Sequence, residues 1–234
     1  MITDIEHLDS SRKSGLLDHL LSFITEERKT RFYELIAQRT RHLTIILEDI
    51  YQPHNASAVL RTCDCFGIQD VHIIENKNKY EVNPDVALGS AKWLTLYKYN
   101  RSQSNTASCI STLKQKGYRI VATTPHQQDF TPGTLPLDTP FALIFGTELQ
   151  GLTPEAIELA DEYIRIPMFG FTESLNISVS AAILLYSLTN RLRNSDIPWT
   201  IPDDEKTMVL LRWAAGTIRK SDIVIRDFLK KYQE

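Results

Sequence analysis

A chain of 234 residues that is 42% hydrophobic and 24% charged has the composition of an ordinary water-soluble protein, with length for one large domain and appendages. A net charge of −3 excludes a uniformly basic nucleic-acid coat, though not a local basic patch. Cys63, Cys65 and Cys109 fit neither a zinc spacing nor a disulfide framework, and no His/Glu cluster has metal-ligand spacing, so a reduced, metal-free, cytoplasmic protein is expected. The acidic opening MITDIEHLDSSRK is no signal peptide, and the most apolar run, residues 177–188, is too short to cross a bilayer.

In chain order, residues 16–42 predict helix: LLDHLLSFI, then ERKTRFYELIAQRTRHL. Arg28, Lys29, Arg31, Arg39 and Arg41, against Glu34, give the second part a basic character, which suits a solvated helix face. HLTIILEDI (42–50) is then a β-branched strand. A helix over 55–66 closes at Gly67, with Asn55 where an N-cap belongs. Strands follow at 71–75, 94–99, 118–124, 141–146 and 163–167, separated by helices near 103–116 and 153–161, the latter opened by Thr153 and Pro154. A long helix runs from Asn176 to about Arg193. After the loop NSDIPWTIPDDE, residues 206–234 predict helix again, with Lys206, Arg212, Arg219, Lys220, Arg226, Lys230 and Lys231 against Asp222, Asp227 and Glu234. Strands alternating with helices imply an α/β fold, a mostly parallel sheet with helices on both faces.

Ligands of open α/β sheets bind beyond the carboxyl ends of the strands. Three loops there are rich in small and hydrogen-bonding residues: YQPHNASAVLR, GTELQGL and IPMFGFTESLN. Capping accounts for Asn55 on its own. Arg61 lies at the edge of a stripe made by Ala58, Thr62, Cys65 and Phe66, where it needs either an internal carboxylate or a phosphate. Glu148 sits between glycines in a strand-to-helix turn and suits backbone amides or a site role. The glycines match neither a dinucleotide fingerprint nor a phosphate-binding loop, and no nucleophile elbow is present.

Taken in order, Asn55-x5-Arg61, Gly146-x-Glu148-x-x-Gly151-Leu152 and Ile166-Pro167-Met168-x-Gly170-x3-Ser174-Leu175-Asn176-x-Ser178 resemble the three motifs of SPOUT-class RNA ribose 2'-O-methyltransferases. The resemblance covers roughly residues 42–193, and helical extensions without an added globular domain are most similar to the enzymes acting on guanosine 18 of tRNA. Ser180 stands where many relatives carry alanine. The resemblance implies a C-terminal deep trefoil knot, helical extensions at 1–41 and 194–234 around a methyltransferase domain at 42–193, and a homodimer. It implies S-adenosylmethionine as cofactor, with adenine among Thr123, Gly146, Ile166, Met168 and Leu175. It implies tRNA as partner, with Arg61 near the attacking hydroxyl and Asn55, Glu148, Ser174 and Asn176 orienting it, the ribose and the loops. Alternative readings are an enzyme acting on rRNA or another tRNA nucleotide, and a non-catalytic RNA-binding relative.

Overall fold

The computed structural model describes residues 5, 7–80, 89–127, 129–147 and 150–230. Its elements begin with α1 (Ser10–Leu21), α2 (Glu26–Ile36), β1 (Leu43–Glu48), α3 (Pro53–Cys65) and β2 (Asp70–Ile74). They continue with a 3-10 turn (Ser90–Trp93), β3 (Thr95–Tyr99), α4 (Asn105–Gln115), β4 (Arg119–Thr123) and β5 (Phe141–Phe145). The last are α5 (Pro154–Leu159), β6 (Glu162–Ile164), α6 (Ile177–Arg193), α7 (Asp203–Thr217) and α8 (Ser221–Lys230). The chain divides into two units, Met1–Arg39 with Thr200–Glu234, and Thr40–Trp199.

The larger unit rests on period-two alternation, because successive strand side chains point to opposite faces. Leu43, Ile45 and Leu47 of β1 and Phe141, Leu143 and Phe145 of β5 enter one cluster, together with Val59 and Leu60 of α3 and Leu184 and Leu188 of α6. Ile46, Ala142 and Ile144 enter another, with Ile110 and Leu113 of α4 and Ala156 of α5. Both faces are apolar, so helices cover both. The six strands are parallel in the order β3-β2-β1-β5-β4-β6. That order doubles back between β1 and β5, the place where such sheets open a crevice beyond their carboxyl ends.

Local signals set the helix ends. Thr153 accepts from the amide of Ala156 and Pro154 takes the first helical position, as expected of that pair. Gly67 follows α3 at φ 77°, a left-handed turn that costs any other residue a steric penalty. Two expectations need correction. The helix foreseen through residue 42 stops at Ile36, because Thr40 is claimed by the sheet: its amide donates to Gly67 O at 2.9 Å and its carbonyl accepts from Gln69 at 3.0 Å. Arg39 and Arg41 therefore lie beyond the helix. Arg41 pairs with Asp70 at 3.1 Å, and Arg39 is buried with its guanidinium 5.3 Å above the Trp213 ring. The helix foreseen over 206–234 is two, α7 and α8, with Lys220 at φ 59° between them. It also starts earlier, so Asp203, Asp204 and Glu205 fill the first turn of α7, where carboxylates favour the helix dipole and offset the basic character of the tail.

In the smaller unit α1 packs on α7 and α8, and α2 packs on α7. Phe32 meets Trp213 edge-on at 5.6 Å, and His19 stacks on Phe228 at 5.3 Å. The two ends of the chain thus share one core, and neither helical pair covers its apolar face alone. Deleting residues 200–234 would strip Leu16, Leu20 and Phe32 of their cover. Amide exchange over α1 and α2 is then expected to approach unprotected rates. Full protection of those helices in the truncated chain would show that they fold without the tail.

Candidate active site at the carboxyl end of the sheet

The loops that leave β4, β5 and β6 converge on a cavity of about 420 Å³, within the ~300–1,000 Å³ usual for small-molecule sites. Its wall includes Phe145, Ile166, Met168, Leu175 and Leu184 on the apolar side, and Thr123, Thr147, Gln150, Glu173, Ser174 and Ser180 on the polar side. Thr123 is tied down at the end of β4, its hydroxyl donating to Ile144 O at 2.8 Å. Gly146 leaves β5 so close to the second half of its own loop that a Cβ there would overlap the carbonyl group of Gly151 and the amide of Leu152. Thr147 and Gly151 close the loop with reciprocal backbone bonds of 2.9 and 3.0 Å.

The far side of that loop is held by a residue the motif reading passed over. Glu48, the last residue of β1, is buried and accepts from the Thr153 amide (2.9 Å), the Thr153 hydroxyl (2.7 Å) and the Thr106 hydroxyl (2.7 Å). A buried carboxylate needs such partners. Its signal in the sequence was the first of two acids, Glu48 and Asp49, closing the apolar run LTIIL.

All five residues expected around adenine, Thr123, Gly146, Ile166, Met168 and Leu175, line this one cavity, and Ser174 joins them. Asn176 caps α6: its Oδ1 accepts from the Ser178 amide at 2.8 Å. A backbone amide only donates, so the Asn176 Nδ2 must turn the other way, where it donates to Asn55 Oδ1 at 3.2 Å. Asn55 in turn donates to Gln52 Oε1 at 3.1 Å. Asn55 is thus not the N-cap it was expected to be. Pro53 starts α3 earlier, Asn55 is buried in the first turn, and its amide clamps the start of α3 to the start of α6.

Arg61 is placed differently from expectation. The buried stripe of α3 is Ala56, Val59, Leu60 and Cys63, not Ala58, Thr62, Cys65 and Phe66. Both sets have helical spacing, and the larger apolar side chains decide which one faces the core. Six residues beyond Asn55, Arg61 is about 9 Å further along the axis and about 120° around it. It is exposed, does not line the cavity, and has no ion-pair partner among the described residues. Glu148 lies outside the described residues.

The strongly shifted titratable groups are structural. Burial drives the His72 imidazole down to about 3 and the Cys109 thiol up to about 12, and neither lines the cavity. His72 stacks on Tyr97 at 4.8 Å and Cys109 sits in the core under α4. Among the described residues no group of three or more His, Cys, Asp or Glu is placed to hold a metal ion, and no helix is long and apolar enough to cross a membrane.

Comparison with known proteins gives a consistent result. The model of the SpoU rRNA methylase family matches residues 42–186. A tRNA (guanosine(18)-2'-O)-methyltransferase of Borreliella burgdorferi is 43% identical over 216 residues, 92% of this chain and 96% of its own. The crystal structure of an A. aeolicus TrmH/SpoU tRNA modifying enzyme superposes with a TM-score of 0.73 at 30% identity, over 83% of this chain and 98% of that one. The SpoU methyltransferase AviRb of Streptomyces viridochromogenes, solved in complex with AdoMet, shares the fold at a TM-score of 0.58 and 21% identity, over 69% of this chain and 65% of its own.

Proposed function

The chain belongs to the SpoU methylase family, and from that premise we propose that it methylates the ribose 2'-oxygen of guanosine 18 in tRNA, using S-adenosylmethionine. The observation that carries this reading is the single cavity bounded by loops of the second and third motifs, with the first motif tied to the third through Asn55 and Asn176. The residues present fit the cofactor. Phe145, Ile166, Met168 and Leu175 offer an apolar bed for a purine, and Gly146 and Gly151 bring backbone to the same wall. Bound there, the cofactor supplies an electrophilic methyl group, and the protein supplies position and charge.

The chain's own residues then take these roles. Asn176 and Asn55 hold the start of α6 on α3, so that Ser174 and Leu175 stay at the cavity wall. Glu148, three residues after β5 in the sequence, belongs with them in this reading as an orienting residue. Arg61 is a permanent cation on the open face of α3, free to take a phosphate of the docked RNA and to stabilise the alkoxide that develops at the 2'-oxygen. An arginine does not serve as the proton acceptor at neutral pH, so that proton passes to the phosphate or to water.

The same reading includes a trefoil knot, in which the chain after β6 threads an earlier loop, as the family resemblance implies. It also includes a homodimer. Val179, Ile183 and Tyr186 form an exposed stripe on α6, and Phe169 and Phe171 in the segment before it are fully exposed, apolar surface that a second copy would cover. Sedimentation is expected to give a dimer, and Ile183→Asp a monomer; a monomeric wild-type protein would remove the dimer from the reading. A cytoplasmic location follows from the substrate proposed.

The direct test is methylation of an unmodified tRNA transcript with labelled cofactor, followed by mapping of the product. Label at the 2'-oxygen of guanosine 18 is expected. In calorimetry S-adenosylhomocysteine should bind at one per subunit and NAD should not. Label only in rRNA would redirect the substrate, and binding of NAD alone would overturn the reading.

A further inference from the structure

Arg165 directly follows β6 and lines the cavity. Its Nε is buried and has no hydrogen-bond partner among the described residues. The contrast with Arg119 is instructive, since that arginine of the same sheet region is held by Glu162, Thr139 and the carbonyl of Pro136. Among the described residues no carboxylate pairs with Arg165, although Glu173 lines the same cavity. Buried polar groups in native proteins are nearly always satisfied, and an orphan donor carries the full desolvation penalty. Arg165 as a whole is half-buried, and a cation on a cavity wall with no paired carboxylate is suited to an anionic group of a ligand.

Resting on the function proposed above, we propose that Arg165 anchors the α-carboxylate of the cofactor's methionyl end. S-adenosylmethionine carries two positive groups, the sulfonium and the ammonium, and one negative group, the carboxylate. Arg165, Glu173 and His126 are the charged or titratable side chains among the described residues of the wall, and Arg165 is the permanent cation among them. A guanidinium offers Nε and one terminal nitrogen as a fork that matches a carboxylate. The choice of carboxylate over an RNA phosphate follows from place: Arg165 lines the same cavity as the five residues expected around adenine, so the methionyl end of the same cofactor brings its carboxylate to that wall.

The test compares two ligands by calorimetry. S-adenosylhomocysteine carries the amino-acid end; 5'-methylthioadenosine keeps the adenosine and sulfur and lacks it. Arg165→Met is expected to weaken S-adenosylhomocysteine by about 10- to 100-fold, the scale of a charged hydrogen bond, and to leave 5'-methylthioadenosine within about twofold. Arg165→Lys should recover part of the loss, because it restores charge without the fork. Retained 5'-methylthioadenosine binding certifies the fold of each variant. Equal loss of both ligands would assign Arg165 a structural role and overturn the proposal. Unchanged binding of both, with a raised KM for tRNA, would move Arg165 to the RNA and overturn it as well. A wild-type protein that binds neither ligand would instead fail the reading of the cavity itself.

Discussion

Arg61→Ala is expected to remain folded, to bind cofactor normally, and to transfer methyl groups about 100-fold more slowly or worse, the cost of losing one donor at the transition state. The structure separates this outcome from a folding defect. An arginine completing an internal ion pair would, on removal, strand a buried carboxylate and cost roughly 3–5 kcal/mol of stability. Arg61 is exposed and pairs with no carboxylate among the described residues, so the stability of the variant should stay within about 0.5 kcal/mol of wild type. Denaturant titration measures that difference, and single-turnover transfer with saturating tRNA measures the rate. Arg61→Lys refines the test. Lysine keeps the charge but loses the planar fork that can hold a phosphate and the 2'-oxygen together, so little rescue is expected. Near wild-type turnover in the lysine variant would reduce Arg61 to a point charge and withdraw its orienting role.

Gly146→Ala is expected to abolish measurable cofactor binding and to cost about 3 kcal/mol of stability, at the upper end for overpacking. The new methyl group would overlap the carbonyl of Gly151 and the amide of Leu152, which are backbone atoms and cannot rotate aside as a side chain can. Relief requires the Gly146 and Gly151 segments to part, and these segments are cavity wall. Glu48 limits how far the loop can move, because it grips Thr153 through amide and hydroxyl. Gly216→Ala is the control. Gly216 lies within α7 with open space around its Cβ position, and alanine there should stabilise the protein by about 0.5–1 kcal/mol through helix propensity. Calorimetry with S-adenosylhomocysteine and urea unfolding of both variants decide the matter. A Gly146→Ala protein that binds cofactor like wild type would mean that the loop tolerates a wider path than the structure gives it.

The sequence by itself determined what depends on near neighbours. The near-continuous apolar runs LTIIL and FALIF, in a chain where strands alternate with helices, implied a sheet apolar on both faces, and hence helices on both sides. Thr153 with Pro154 marked the start of α5, because a cap is a contact between residues two or three apart, and the long apolar helix was read from Asn176, where α6 is capped. The spacing of the three motifs pointed to the loops that bound the cavity. Tertiary structure alone decided what spans the chain. Asn55 looked like a local cap, and its amide instead meets Asn176 across 121 residues, since Pro53 had already begun the helix. Arg61 was assigned to the wrong edge of α3, because helical periodicity yields a stripe without saying which of two stripes meets the sheet. Glu48 and Arg165 fell within the predicted strands 42–50 and 163–167; only the packing reveals that one is buried with three hydrogen bonds and the other has a buried donor with no partner among the described residues. Arg39 belonged to a basic face in the sequence and lies against Trp213 in the fold. Caps and alternation are paid locally, in bonds a few residues apart, whereas burial of a charge is settled by whatever distant group the completed fold sets beside it.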